Sequence, residues 1–128
     1  MFNFVKNHPK YYEFIRKLRN DERVQDGFVD ELPEITEEQQ SEYMKKYNDN
    51  FYVCIEGDSP VGYIRHLEGD IGVCTHPDYW GRGIGSFMID ELMKLHPNCF
   101  AKIKLDNEAS IRAFEKVGFK KKYYILEK

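Results

Sequence analysis

The sequence has few cysteines, no long apolar run and no large charge excess, and each absence excludes a class of protein. No apolar stretch approaches the roughly 18 residues of a membrane-spanning helix, and the N-terminus lacks the apolar core of a signal peptide. Cys54, Cys74 and Cys99 have no metal-ligand spacing, so we expect buried thiols and neither a metal site nor a disulfide framework. We therefore expect a cytoplasmic protein without membrane partners.

At 128 residues, with 41% hydrophobic and 32% charged side chains, the chain predicts one globular domain over residues 1–128. Charge is uneven, since residues 21–42 hold nine Asp or Glu against Arg23 alone, and residues 99–128 hold eight Lys or Arg against four acids. These halves are either two solvated faces or sites for a cationic amine and for phosphates. No extended basic segment is present, so we expect no nucleic-acid partner.

The central stretch, residues 71–95, reads as an apolar strand, a glycine-rich turn and an amphipathic helix. Gly81, Gly83 and Gly85 let the backbone turn and a ligand approach, and free N–H groups at a helix start suit an anion such as a pyrophosphate. A tight connection without a ligand is the alternative. A nucleotide P-loop is absent, and a dinucleotide fingerprint would need a small residue at Met88.

Periodicity and turn chemistry predict the surrounding elements. Helices are expected at 9–19, from the capping box Thr36–Gln39 to about Tyr47, and at 108–117, between a cap at Asn107 and a left-handed Gly118. Strands are expected at 2–5, 51–55, 61–66 and 71–75, followed by 100–105 parallel to 71–75, and finally 123–127.

Two motifs resemble one family. Trp80-Gly-Arg-Gly83-Ile-Gly85 is similar to Gln/Arg-x-x-Gly-x-Gly/Ala, with Trp80 in the first position. Asn107-Glu-Ala-Ser-Ile-Arg-Ala-Phe114-Glu-Lys-Val-Gly-Phe119 is similar to Asn-x-x-Ser/Ala-x-x-x-Tyr/Phe-x-Lys-x-Gly-Phe. Both are motifs of the GNAT (GCN5-related) N-acetyltransferases, and the resemblance covers about residues 50–120 well and the first 50 poorly.

The resemblance implies an α/β fold with a mostly antiparallel sheet, one splayed parallel strand pair and flanking helices. It also implies acetyl-CoA as cofactor, with its pantetheine arm in the splay. The implied cofactor contacts are Val73, Cys74, Thr75, Gly81, Arg82, Gly83, Ile84, Gly85, Ser86, Asn107 and Phe114.

Catalytic groups are harder to assign. Many relatives place a tyrosine acid where Phe114 stands, so Tyr123, Tyr124 or water would protonate the leaving thiolate. Candidates for the base are Glu68 and Asp70, with His66 as an alternative. Cys74 has no evident histidine partner, so we expect direct transfer in a ternary complex. The resemblance implies acceptor contacts at Phe28, Asp30, Glu31 and Tyr43.

The expected activity is acetylation of a primary amine on a small molecule, such as an amino sugar or a polyamine. Two alternatives stay open, namely a non-catalytic acyl-CoA-binding regulatory domain and an acetyltransferase for protein N-termini or lysines. Relatives often border the acceptor pocket with a longer C-terminal hairpin. That wall is therefore short here or supplied by the second subunit of a homodimer.

Overall fold

The computed structural model describes residues 1–29 and 33–128, so the predicted acceptor contacts Asp30 and Glu31 lie outside the described residues. Within the described part, four strands form one antiparallel sheet in the order β1-β2-β3-β4, flanked by five α-helices. The strands are β1 (Phe2–Lys6), β2 (Phe51–Glu56), β3 (Ser59–Leu67) and β4 (Asp70–Thr75). The helices are α1 (Tyr12–Asn20), α2 (Glu22–Gln25), α3 (Glu37–Tyr47), α4 (Ile84–Leu95) and α5 (Glu108–Lys116). The predicted mixed α/β fold is confirmed.

Two tight turns set the register of the central strands. Gly57 (φ 62°) closes the β2–β3 hairpin, and Glu68 (φ 50°) with Gly69 (φ 86°) closes the β3–β4 hairpin. All three residues adopt the left-handed conformation that a tight turn requires and that glycine accepts without strain. The register of β4 on β3 follows from the second turn, and it decides which side chains share a face.

Helices cover both faces of the sheet, and each face has its own apolar core. On one face α1, α2 and α3 pack over β2, β3 and β4, with a core of Tyr11, Ile15, Leu18, Val24, Met44, Phe51, Val53, Tyr63 and Cys74. On the other face α4 and α5 pack over the same strands, with a core of Cys54, Val61, Ile64, Ile71, Ile84, Met88, Ile89, Leu92 and Phe114. The sheet is therefore the middle layer, and its outer edge strand β4 borders both cores.

The helix ends follow the predicted caps. The Gln39 amide donates to Thr36 Oγ1 (3.2 Å), and the Thr36 amide donates to Gln39 Oε1 (2.9 Å), which confirms the capping box. Gly118 adopts the predicted positive φ (105°) after α5. The short helix α2, which the pattern does not predict, begins at a cap from Asp21. Among the described helices, none is both long and apolar enough to cross a membrane.

Two predicted strands are wrong. In the segment 100–105 only Phe100 pairs with its neighbour, through a parallel bridge to Asp70, and the chain then leaves β4. In place of the predicted splayed strand pair, β4 and the segment 100–105 share the single bridge between Asp70 and Phe100 and then diverge. Residues 123–127 form no strand, and the side chains of Tyr123 and Tyr124 are 90% and 89% exposed. No strand of the described chain lies beside this segment to supply the hydrogen bonds that a strand needs.

Two of the three cysteines are buried, as predicted, and Cys99 is less buried than predicted. Cys54 and Cys74 are buried, Cys99 is half-buried, and all three are free thiols. Burial removes Cys54 and Cys74 from solvent, so they act as small apolar side chains in the two cores.

Candidate active site

The turn before α4 leaves backbone N–H groups unused. Gly81 (φ 81°) and Gly83 (φ 78°) are both left-handed, and a Cβ built on either would meet no atom within 4 Å. Gly83 is the N-cap of α4 and offers no side chain, so within residues 1–29 and 33–128 the amides of Ile84, Gly85 and Ser86 have no cap. The Phe87 amide is bonded, to the Gly83 carbonyl at 3.0 Å. An open turn with free amides at the positive end of a 12-residue helix suits an anion.

The Arg82 side chain is turned away from these amides. Its Nη1 donates to Glu56 Oε1 (3.2 Å), and its Nη2 pairs with the other carboxylate oxygen. The guanidinium also lies 5.4 Å from the ring centre of Phe2 and 5.5 Å from that of Tyr79. Hydrogen bonding from Arg82 lowers the pKa of Glu56. In this arrangement the Arg82 side chain anchors the turn to β2.

Trp80, where the family motif has Gln or Arg, also anchors the turn. Its indole Nε1 donates to the Thr75 carbonyl at 2.9 Å, while its ring is 55% exposed. This bond ties the start of the turn to the last residue of β4. Trp80 therefore has a structural role through this hydrogen bond, and the rest of its ring is accessible to a ligand.

Within the described chain, the outer edge of β4 has no neighbouring strand beyond the single bridge to Phe100. The Ile71 amide donates to the Phe100 carbonyl (2.9 Å), so it points away from β3. Strand alternation gives the amides of Val73 and Thr75 the same outward direction. In the described residues no backbone acceptor outside the strands meets either amide. A 3₁₀ turn at Pro77–Tyr79, where the amides of Tyr79 and Trp80 are hydrogen-bonded, separates these free strand amides from the free amides of the glycine turn.

Asn107 links the start of α5 to the loop after α2. Its Oδ1 accepts the Ser110 amide (3.2 Å), which caps α5, and its Nδ2 donates to the Gly27 carbonyl (3.4 Å). Nearby, Lys104 Nζ donates to the Asp26 carbonyl at 3.0 Å. The segment after the parallel bridge thus contacts the loop after α2, which the resemblance assigns to the acceptor side.

Phe114 lies inside the core and cannot donate a proton. It is 3% exposed, and its ring meets Phe119 edge-on with centres 5.0 Å apart. One residue earlier, the Ala113 carbonyl accepts from Ser86 Oγ (3.3 Å), which ties α5 to the first turn of α4. Phe114 therefore contributes to the apolar core by packing against Phe119.

The Cys74 thiol is unsuited to nucleophilic attack. It stands opposite Tyr63 in the β3–β4 register, on the face covered by α1 and α3. Burial raises the pKa of Cys74 to about 11, so the group is a neutral thiol near neutral pH. Burial also raises the pKa of Tyr63 well above its usual value. This agrees with direct transfer, because no acetyl-cysteine is favoured.

The predicted acceptor and base residues lie on or near this same face. Phe28 and Tyr43 pack against the core beneath α1 and α3, and Tyr43 meets Phe51 edge-on at 6.0 Å. Burial raises the pKa of Tyr43. Glu68 is exposed in the turn before β4, and Asp70 is half-buried at the bridge to Phe100. The structure does not bring the predicted acids into this group, because Tyr123 and Tyr124 stand in solvent.

His66, the alternative base candidate, pairs with His96 at the other end of α4, a partner that the sequence does not predict. The rings of His66 and His96 are 4.0 Å apart, and His96 Nε2 is 3.2 Å from the Tyr52 hydroxyl. His66 Nε2 is buried and has no partner among the described residues. A cavity of about 290 Å³ borders both rings and Cys99. The pair belongs to the face of α4, so His66 is displaced from the acceptor face.

The comparisons with known proteins agree on one family. The model of the acetyltransferase (GNAT) family matches residues 12–119. No curated protein sequence matches the chain.

Three solved structures show the same fold. The spermidine N-acetyltransferase of Vibrio cholerae in complex with CoA and spermine has a TM-score of 0.84 at 14% identity, covering 99% of this chain and 85% of that one. A GNAT-family acetyltransferase of Bacillus anthracis has a TM-score of 0.76 at 20% identity, with 96% and 82% covered. AAC(6')-Iy, in complex with a bisubstrate analogue of CoA and acetylneamine, has a TM-score of 0.73 at 12% identity, with 100% and 97% covered. At these identities the likeness shows the fold and not the substrate.

Proposed function

Because this chain belongs to the GNAT family of acetyltransferases, we propose that it passes an acetyl group directly to a primary amine of a small molecule within a ternary complex. The chain is an N-acetyltransferase and its cofactor is acetyl-CoA. The observation that carries the proposed mechanism is the junction of β4 and α4. There an open strand edge is followed, after the short 3₁₀ turn at Pro77–Tyr79, by uncapped helix amides.

The cofactor contacts are proposed from that junction. The amides of residues 81–86 hold the pyrophosphate, since they are free and lie at the start of a helix. The backbone of Val73, Cys74 and Thr75 pairs with the pantetheine arm, and the Val73 and Thr75 amides can donate to a carbonyl oxygen as it gains negative charge. Asn107 and Phe114 border the arm. When bound, acetyl-CoA supplies the thioester carbon that the amine attacks.

On the acceptor side, Phe28 and Tyr43 are proposed to flank the amine, together with Asp30 and Glu31. Glu68 or Asp70 takes the proton from the ammonium group, directly or through water, because a charged nitrogen has no lone pair. Attack forms the new N–C bond and breaks the C–S bond. The leaving thiolate then needs a proton.

Water is the proposed source of that proton. Phe114 has no acidic group, and the hydroxyls of Tyr123 and Tyr124 stand in solvent. Either tyrosine could act only if its segment folded over β4. The two tyrosines therefore stay a prediction that mutation can test.

The acceptor class is proposed from the compact chain and its acidic segment. Similar folds carry names that mention spermidine and an aminoglycoside-like analogue, which supports a small amine such as an amino sugar or a polyamine. Protein N-termini and lysines are the rival acceptors, and a regulatory domain that only binds acyl-CoA is the rival without turnover. We propose the cytosol as its compartment because all three cysteines are free, with no membrane or nucleic-acid partner.

A homodimer is also proposed. The C-terminal segment 123–126 exposes four large side chains in a row, at 90%, 89%, 68% and 92%. Such a continuous apolar strip is typical of a surface that a partner covers. A second copy could seat this strip and complete the acceptor wall. Light scattering on the wild type and on Leu126→Asp measures whether the strip holds two copies together.

The test of the proposed function is release of free CoA from acetyl-CoA across a panel of small amines and short peptides. The proposal expects amine-dependent release and an acetylated small molecule of matching mass. Intersecting initial-rate patterns are expected for direct transfer. Tight acetyl-CoA binding with no release for any amine would instead support the regulatory domain, and release with peptides alone would support the protein acceptor.

A further inference from the structure

One arginine on the acceptor face has no partner in the described part of the chain. Arg16, Arg23, Arg82 and Arg112 all form ion pairs with carboxylates. Arg65 is half-buried, and within residues 1–29 and 33–128 its guanidinium makes neither an ion pair nor a hydrogen bond. A half-buried guanidinium without a protein acceptor keeps its N–H donors for water or for a ligand anion.

A glycine makes room for this guanidinium on β4. Arg65 stands directly opposite Gly72 in the β3–β4 register. A Cβ built on Gly72 would lie 2.9 Å from Arg65 Nη2 and 3.1 Å from both Cζ and Nε. Any side chain at position 72 would therefore push the guanidinium off the strand. The residue next along the strand is Val73, whose outward amide belongs to the proposed transfer site.

The surroundings of Arg65 are the proposed acceptor wall. Alternation along β3 places Arg65 on the same face as Tyr63, and the register places Cys74 there too. Burial raises the pKa of Tyr43, and the positive charge of Arg65 opposes this effect. Aromatic rings and a neutral thiol line this face, and Asp70 stands on the same side of β4 two residues before Gly72. Among the described residues no carboxylate pairs with the guanidinium, so a ligand anion could be its partner.

We infer that Arg65 binds an anionic group of the acceptor, a carboxylate or a phosphate, so that the acetylated amine belongs to an amino acid or a phosphorylated amine rather than to a polyamine. The inference rests on the proposed function, whose acceptor class it narrows. A planar fork of N–H donors suits both anions, because each offers two oxygens to parallel hydrogen bonds. Arg65 thereby becomes a specificity-determining residue, separate from the groups that move protons.

The test uses matched pairs of amines that differ only in the anion. Lysine and cadaverine differ by the carboxylate, and glucosamine 6-phosphate and glucosamine differ by the phosphate. Calorimetry measures binding of each to the protein saturated with CoA, so the result does not depend on turnover. A charged hydrogen-bonded pair predicts that one amine with the added anion binds about 10- to 100-fold tighter than its twin without it. The pair that shows the preference identifies the anion.

Three variants locate the preference. Arg65→Gln removes the charge and should reduce the preference to near unity. Gly72→Ala keeps the charge but displaces the guanidinium, and should also reduce it; Gly72 has no positive φ, so the fold tolerates alanine. Arg112→Gln, which removes an exposed arginine from α5, is the matched control and should keep the preference. Equal binding of both twins to the wild type, or a preference that survives Arg65→Gln, overturns the inference. Loss of turnover with the binding preference intact would count against the proposed function alone.

Discussion

Replacing Asn107 by alanine and by aspartate separates its role as a helix cap from its proposed role toward the cofactor. In the structure Oδ1 accepts the Ser110 amide at 3.2 Å, and Nδ2 donates over a long 3.4 Å to the Gly27 carbonyl. Alanine removes both groups. Aspartate keeps an acceptor at the N-terminus of α5, where a negative charge is favourable, and removes only the donor.

The magnitudes follow from these contacts. Loss of an N-cap costs about 0.5–2 kcal/mol, so Asn107→Ala should lower the free energy of unfolding by that amount. For a chain of 128 residues, the typical unfolding entropy converts this into a melting temperature lower by about 2–7 °C. Asn107→Asp should stay within about 0.5 kcal/mol of the wild type, because Asn and Asp cap equally well. Both variants should raise the KM for acetyl-CoA, since both lack the amide donor.

Thermal melts followed by circular dichroism measure the cap, and initial rates with calorimetry measure the cofactor affinity. The reasoning is refuted in part if Asn107→Ala lowers stability while both variants bind acetyl-CoA as the wild type does. Asn107 would then be only a cap. Unchanged stability in Asn107→Ala would refute the capping role.

Three further predictions concern the thiol, the histidine pair and the missing acid. Cys74→Ala should keep kcat within a few-fold, since burial raises the pKa of Cys74 to about 11 and leaves no nucleophile. A large fall in kcat would argue for an acetyl-cysteine intermediate. Burial and then His96 lower the pKa of His66, so the unfolded chain binds more protons there. Stability should be complete above about pH 6.5 and fall as the pH drops below it, and His66→Asn should flatten this trend in thermal melts. The double variant Tyr123→Phe with Tyr124→Phe should leave kcat unchanged if water is the acid, whereas a fall of about tenfold or more would identify a tyrosine.

Features that depend on nearby residues were predictable from the sequence. The capping box at Thr36, the cap at Asn107 and the left-handed Gly81, Gly83 and Gly118 need only a few neighbouring residues to form, and they appear as predicted. Gly85, also expected to have a positive φ, instead lies in the first turn of α4. The start of α4 at Ile84 follows for the same reason. The part of the site built from backbone at the β4–α4 junction was therefore visible in the sequence.

Features that depend on distant partners were not predictable from the sequence. Alternation of apolar residues and lysines in 100–105 predicted a strand, but only Phe100 meets β4 before the chains diverge. The apolar segment 123–127 has strand-like residues and no strand beside it in the described chain. Both cases show a local preference that the tertiary structure does not use.

Arg65 was missed for a related reason. Its position between Ile64 and His66 carries no signal alone, and its meaning comes from standing opposite Gly72. That pairing depends on the register set by the turn at Glu68 and Gly69. A search for a glycine facing an arginine across the predicted hairpin could have found it.

The central claim is that the glycine turn before α4 binds acetyl-CoA through its backbone, and calorimetric titration of acetyl-CoA into Gly83→Leu tests it most directly. Gly118→Leu is the matched control, since both glycines have positive φ and open space where a side chain would go. Each substitution costs about 1–2 kcal/mol of backbone strain, so both proteins should be less stable but folded. The account predicts that Gly83→Leu binds acetyl-CoA at least about tenfold more weakly, while Gly118→Leu binds it as the wild type does. Equal affinity in all three folded proteins would contradict the account.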